Sequence, residues 1–518
     1  MIKSVRSSAI IAAVAALFLI TLTTVIIAVQ RQHAEPAAEG ITPAMPAAPA
    51  PAPTTSPSQA SALVLASSEK PGLYRADGTE HPLHADHPVT GKTLLAADFG
   101  ADPADNGTDD TEAINAAIKA AQSGDEVLLS NGVYNLIRTL PADKTANIEL
   151  KSGVNLRGES QDGVILRSYL DQPDSNTRVI KALGVDSILI SHLTVSSDFK
   201  GKYPTDRTAN NPDRGGPLVG IYIEDASSRG SRQITIDHVT VEKYQRMGVR
   251  ISRSHDVIVR NSLFRDATDL GGGGAGYGVV MQGIPKVSRS GFENDSYFNV
   301  VENSRFKGPY IRHGVLIQYL SHNNAVRNNT FQSTALDSID LHGEGEYLNE
   351  IHHNAISGVI TGAGIGLGNT GGTPPNNHSA SGPGNFIHHN TIAGSRSGIT
   401  VSMGSPDTII ENNMITGSAV KNGTGVTVMN GPGTIVRNNT IRDNIADGFW
   451  GIALLSDPGD KSNNGLGAGI PDGVRITGNI VTHNTNGVKI AQGTNILVQG
   501  NDIRDNVRDN FVDQPAAK

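Results

Sequence analysis

The 518-residue chain contains no cysteine, which rules out disulfides, a thiolate metal site and a cysteine nucleophile. Aromatic residues make up 4% and charged residues 18%, both low. The net charge of −8 argues against a nucleic-acid surface. What the chain does have is 58 glycines, many asparagines and many β-branched residues. A chain of this length is either several ordinary domains or one long repeat array.

The only long apolar run is at the start. Lys3 and Arg6 precede an uncharged stretch from Ala9 to Val29. At ~1.5 Å per residue it spans ~31 Å, enough to cross a bilayer. Residues 1–33 therefore read as an uncleaved signal anchor with the N-terminus inside, a cleaved signal segment being the second choice. Residues 34–91 begin with the Pro/Ala-rich "AEPAAEGITPAMPAAPAPAPTTSPSQAS", a semi-extended tether and lead-in. Residues 92–518 form the remaining domain, expected outside the cytoplasm.

That domain opens with "DFGADPADNGTDDTEAINAAIKAAQSGDEVLLSNGVYNL", from Asp98 to Leu136. Thr108 or Asp109 can cap a helix whose face carries Ala113, Ile114, Ala117, Ile118 and Ala121. Gly124 ends it, and alternating strands follow. The segment closely resembles the start of the pectate-lyase-like superfamily. The resemblance implies an all-β fold, a right-handed parallel β-helix with an N-terminal helical cap. It does not fix the reaction.

Internal repeats support the solenoid independently. The segments "IDHVTV", "VRNSLF", "VENSRF", "VRNNTF", "IHHNAI", "IHHNTI", "IENNMI", "VRNNTI", "ITGNIV" and "VQGNDI" align at His238, Asn261, Asn303, Asn328, His353, His389, Asn412, Asn438, Gly478 and Gly500. Most spacings are 22 to 26 residues, one solenoid coil; those of 42, 36 and 40 are coils with an inserted loop. Each coil carries a further strand of the type "GVVMQ" or "GVLIQ", whose alternate apolar residues point into the bore. The repeated asparagines are structural, since Asn tolerates positive φ and its amide pairs along a stack.

Aligning these further strands predicts three outward columns. One runs Met247, Tyr277, His313, Asp337, Ala363; the next Arg250, Val280, Leu316, Asp340, Gly366; the third Ser252, Gln282, Gln318, His342, Gly368. Coils stack ~4.8 Å apart. Tyr277, Arg312, His313, Asp337, Asp340 and His342 therefore meet on one external face and are the candidate catalytic residues. Gln282, Gln318, Tyr310 and Arg250 are candidate substrate ligands. Glu344 and Glu346 are candidate calcium ligands, the one cofactor considered. Loops at Ile284–Phe298, roughly Asn369–Asn385 and Asp457–Asp472 leave from one edge and would wall a groove. Outward side chains of this kind bury little, so replacing them is expected to cost under ~0.5 kcal/mol.

The charges could instead be a solvated face, His352 and His353 ladder substitutes for Asn, and the solenoid a non-catalytic carbohydrate binder. The patch, however, is confined to three coils, is bracketed by long loops and offers few aromatics to a binder. An exported solenoid with an elongated polar groove suits a polysaccharide. A uronic-acid polysaccharide lyase is the first reading: Arg or calcium neutralises the carboxylate, His or Tyr removes the C5 proton, and an acid protonates O4. Mannuronan C5-epimerases give a partial resemblance, which implies uronan C5-epimerisation as the second reading. Their Tyr-Gly-aromatic-Asp-Pro-His and later Arg-His-Gly motifs are matched here by Tyr277 and Arg312–His313, but Val280, Met281 and Gln282 stand in place of Asp-Pro-His. Inverting hydrolysis by Asp337 and Asp340 is the third reading. The expected partner is a polysaccharide, with membrane contact through the N-terminal segment only, and the expected state is a monomer.

Overall fold

The computed structural model describes residues 70–513, apart from 76, 143, 171–175, 225–229, 284–294 and 374–375. The apolar run at Ala9–Val29, the Pro/Ala-rich tether and most of the Ile284–Phe298 loop lie outside the described residues. Among the described residues no helix is long and apolar enough to cross a membrane.

From Thr93 to Asp513 the chain winds as a right-handed parallel β-helix. One face is a 13-stranded parallel sheet that begins at Ala146–Glu149 and ends at Phe511–Asp513. All nine strands of the "GVVMQ" type belong to it, as expected. The "VENSRF"-type segments are not single strands. Each holds two short strands, such as Val300–Glu302 and Arg305–Lys307, joined at a corner residue with positive φ. All ten aligned positions are that corner, with φ between 50° and 66°. The residue after the corner points inward and forms the ladder. Asn329, Asn354, Asn390, Asn413, Asn439 and Asn479 each pass an amide hydrogen to the side-chain oxygen of the next, ending at Asn501, at 2.9–3.1 Å. Corner and ladder are thus neighbouring positions with separate demands: one needs left-handed backbone, the other a buried amide whose bonds are all made.

The bore is closed by the expected inward residues: Val249, Val279, Val315, Ile339 and Ile365, with Ile251, Met281, Ile317, Leu341 and Leu367, are all 0% exposed. Phe264, Phe306 and Phe331 stack inside, with ring centroids 4.9 and 4.6 Å apart. The glycine that opens the neighbouring strands makes room for them. A Cβ at Gly278 or Gly314 would lie 2.7 or 2.4 Å from a ring carbon of Phe306 or Phe331.

The cap helix is Thr111–Ala120, with Ile114, Ala117, Ile118 and Ala121 buried against the first coil. Its N-cap is Asp110, one residue beyond the expected pair, and the Asp110 side chain makes no bond to its own helix. Its carboxylate accepts from Asp102 N at 2.8 Å and Asn135 N at 2.7 Å, tying the cap to the solenoid. The lead-in from residue 70 is a strap laid along the coils. Gly72 N bonds Leu348 O, His81 stacks on Phe298, His84 meets Thr235, and His87 O accepts from Asn155.

Candidate active site

The strand register brings the predicted columns together. Tyr277 pairs with His313, Val280 with Leu316, Leu316 with Asp340, and Gln282 with Gln318. Asp340 is the middle residue of the three-residue strand Ile339–Leu341, and His342 follows directly. A Gly-Glu-Gly-Glu turn then reverses the chain. Gly343 and Gly345 sit at φ 84° and 85°, a region that favours glycine. Glu346 holds this turn, its carboxylate accepting from Gly343 N at 3.2 Å and Glu344 N at 2.8 Å.

At the centre is a chain of polar contacts. His342 Nδ1 donates to Asp340 Oδ2 at 2.6 Å. The other side of the same carboxylate oxygen faces His313 Nδ1 at 3.6 Å. His313 Nδ1 also lies 3.2 Å from the Asp337 carbonyl oxygen, an acceptor that fixes the proton on Nδ1 and leaves the lone pair on Nε2. The Tyr277 ring stands edge-on to His313, centroids 5.2 Å apart. Asp337 Oδ1 accepts from Ala363 N at 2.5 Å. Four of the predicted catalytic side chains therefore meet, and Tyr277 touches them through His313.

Arg312 does not join them. Its Nη1 donates to Leu270 O at 2.7 Å and Gly271 O at 2.6 Å, clamping the glycine-rich loop before Tyr277. Gln282 and Gln318 bond each other at 2.8 Å. Arg250 lies over the Tyr222 ring, one coil before Tyr277. Tyr310 stacks on Tyr203 of the 198–217 segment, centroids 4.6 Å apart.

The expectation that these side chains bury little does not hold. Tyr277, Gln282, His313, Gln318, Asp340 and His342 point away from the bore, yet all are 8% exposed or less. Inserted segments fold back over them. Ser379 N bonds Gly343 O, Gly382 N bonds Glu346 O, and Gly371 N bonds Asp460. The loop that covers the site also adds to it. His378 bonds Glu344, and its ring lies 4.4 Å from that of His342; Asn369 approaches His342 Nδ1 at 3.1 Å. Neither residue stood out in the sequence, although His378 is the one histidine of a loop already expected to wall the site.

Burial and close charges set the protonation states. Burial pushes His313 down to about 3, so it is uncharged at neutral pH. Burial also works against a charged His342, but Asp340 outweighs it and lifts His342 to about 9. Asp340 is itself opposed by burial, yet His342 and then His313 hold it below the usual carboxylate range. Burial, followed by the Asp340 charge, raises Asp337 to about 7. Burial raises Tyr277 to about 12 and Glu344 to about 7, and Glu346 is raised well above its ordinary value by burial and by Glu344.

Two groups on this face bring their ligand atoms within 4.8 Å of one another: His313, Asp337 and Asp340, and His342, Glu344 and His378. Both contain imidazole, whereas calcium takes an all-oxygen shell. Glu346, the other expected calcium ligand, is committed to the turn. The donor set does not fit calcium.

A family model described as the periplasmic copper-binding protein NosD matches residues 344–514, less than half of the chain. A comparison with curated proteins by sequence gives no match. Among solved structures, the A-module of the Azotobacter vinelandii mannuronan C-5 epimerase AlgE4 is similar at 17% identity with a TM-score of 0.51, covering 82% of this chain and 100% of that one. The tailspike of Escherichia coli bacteriophage HK620, solved with a pentasaccharide, is similar at 13% identity with a TM-score of 0.55, covering 81% of this chain and 78% of that one. The Streptococcus pneumoniae surface protein and adhesin PfbA is similar at 17% identity with a TM-score of 0.54, covering 82% and 98%. These likenesses establish the fold, a right-handed parallel β-helix.

Proposed function

We propose that this protein acts outside the cytoplasm on a uronic-acid-containing polysaccharide, abstracting the C5 proton and cleaving the chain by β-elimination. The observation that carries the reading is the pairing of His313 and Tyr277. His313 donates Nδ1–H towards the Asp337 carbonyl, which leaves the Nε2 lone pair available, and the Tyr277 phenol stands edge-on to that ring at 5.2 Å. In the step itself, Nε2 of His313 takes the C5 proton. The C5–H electrons form the C4=C5 double bond, the C4–O4 bond breaks, and O4 leaves with the proton of Tyr277. The cationic His342 and a partly protonated Asp337, both close to His313, are the groups that would neutralise the uronate carboxylate. No step runs through calcium.

Epimerisation is the second reading, and the strand register favours it specifically. The Asp and His absent at Val280 and Gln282 stand at Asp340 and His342, in the same two columns two coils further on. The Tyr-x-x-Asp-x-His spacing is thereby kept as Asp337-x-x-Asp340-x-His342, with tyrosine left behind at Tyr277. An epimerase shares the proton abstraction but returns a proton to C5 from the opposite face. Inverting hydrolysis is disfavoured: the Asp337 and Asp340 ligand atoms lie within 4.8 Å, short of the ~6.5–9.5 Å that admits a water. The likeness to NosD, described as periplasmic, and to the surface protein PfbA supports the location.

The test is a panel of alginates, pectates and other uronans followed at 235 nm, with proton NMR in deuterated water. A lyase gives unsaturated uronate ends. An epimerase gives C5 deuterium without absorbance. New reducing ends with neither signal would overturn both readings.

A further inference from the structure

A second imidazole cluster lies on a different face of the solenoid, away from the site above. His352–His353 and His388–His389 occupy the same two positions in consecutive coils. His352 stacks on His388 at 4.9 Å and His353 on His389 at 5.0 Å, both nearly parallel. Within each coil the two rings stand almost perpendicular, with their Nδ1 atoms 2.8 Å apart.

Glu350 sets the tautomer of His388. It lies 2.9 Å from His388 Nε2 and 4.0 Å from His352 Nε2. Accepting Nε2–H from His388 leaves the His388 Nδ1 lone pair directed at His389, and the nearby carboxylate charge favours the same tautomer of His352. Metal-bound histidines are oriented by a carboxylate in the same way. The corner histidines need only a tautomer change, with no change of charge, to turn their own Nδ1 lone pairs inward. Ligand atoms of His352, His353 and His388 already lie within 4.8 Å of one another. Side-chain rotation of under about 1 Å brings them to the ~2.0–2.1 Å shell of an imidazole-bound ion.

The columns show that stacking alone does not require histidine. The corner column is Asn303, Asn328, then His353, His389, then Asn412, Asn438, so asparagine serves on either side. The neighbouring column is Glu302, Arg327, then His352, His388, then Glu411, Arg437. The flanking members pair as ions, Arg327 with Glu302 and Arg437 with Glu411, both at 2.8 Å. The histidines interrupt both columns together, in the same two coils.

We propose that His352, His353 and His388, closed by His389, form a binding site for one divalent first-row transition ion. All-imidazole donors select copper, nickel or zinc over calcium and magnesium, and Cu(II) should bind tightest.

The test uses untagged full-length protein stripped with chelator and titrated calorimetrically with Cu(II), Ni(II), Zn(II) and Ca(II), with electron paramagnetic resonance of the copper form. One Cu(II) with several nitrogen ligands is expected, and no calcium heat. His353→Asn with His389→Asn restores the residue found above and below in the column, so the fold should hold and the site should vanish. Glu350→Gln should weaken binding about 10–100-fold while keeping it. His378→Asn, on the other face, should leave binding at this histidine cluster unchanged. An unchanged isotherm in the double variant, or loss of binding in His378→Asn, would overturn the proposal.

Discussion

Replacing Asp340 by asparagine keeps the side-chain shape and removes one charge. Asp340 is 2% exposed and accepts from His342 at 2.6 Å. Its carboxylate raises His342, against burial, from 6.5 to about 9. At ~1.36 kcal/mol per pK unit that shift corresponds to about 3 kcal/mol of stability. The usual cost of removing one partner of a buried ion pair, about 3–5 kcal/mol, agrees with it. A histidine raised in the folded state contributes fully below 6.5, and its contribution is lost as pH rises through about 9. Asp337 and Glu344, raised to about 7, contribute at low pH and lose that contribution as pH rises through about 7, so over the interval from pH 7.5 to 9 the difference between wild type and variant reports on His342. Urea unfolding across that interval should show the wild type losing about 2 kcal/mol and Asp340→Asn losing almost none. The deficit of the variant should narrow as pH rises. NMR of the histidine Cε1 protons should place one wild-type titration near 9, and burial alone should push it below 6.5 in the variant. Parallel pH profiles for the two proteins, or a wild-type His342 titrating near 6.5, would refute the reasoning.

His313→Ala should cut turnover by about 10²–10⁴ without moving the thermal midpoint by more than a few degrees, and high substrate should not rescue it. Tyr277→Phe should slow elimination while leaving C5 exchange in deuterated water measurable, because it removes only the acid. Asn354→Ala leaves Asn329 and Val326 without their partners inside the bore, and denaturant titration should show a loss of about 1–3 kcal/mol. Phe306→Ala opens a cavity between two stacked rings and should cost about 3–5 kcal/mol by the same measurement.

The solenoid was legible because its two constraints are written at fixed intervals. Left-handed corners select Asn, His or Gly, and inward positions select Val, Ile or Leu, so ten short segments sufficed to set the register. The columns followed from that register, and with them the meeting of His313, Asp337, Asp340 and His342. Two things were not legible. The direction of Arg312 depends on carbonyl groups of Leu270 and Gly271, which exist only once the glycine-rich loop has folded. The burial of the site depends on segments 198–217 and 369–385 folding back, and irregular loops carry no period from which a contact could be read. The same blindness hid His378 and Tyr203. The strap from residue 70 escaped for a related reason: its bonds to Asn323 and Asn155 are made by backbone carbonyls, which leave no mark in the choice of residue.

A parallel β-helix offers a column as a set of nearly equivalent places, since each coil presents the same backbone to the same face. A functional side chain can therefore move along a column by ~4.8 Å steps without any change in its direction. That equivalence explains how Asp340 and His342 can serve a tyrosine two coils away. Tyr277 reaches them only through the intervening His313, whose ring is 5.2 Å from Tyr277 and 6.2 Å from His342. The coil between is then not a spacer: it carries His313, the group that lies between the Tyr277 phenol and the His342 imidazolium. Moving the dyad back, with Val280→Asp and Gln282→His in an Asp340→Asn, His342→Gln background, keeps its columns and places it on the Tyr277 strand. If the column is the unit of function, proton exchange at C5 should be partly restored relative to the doubly neutralised protein. If exchange stays at the level of that background while the protein folds, the loops above His342, and not the column, define the site.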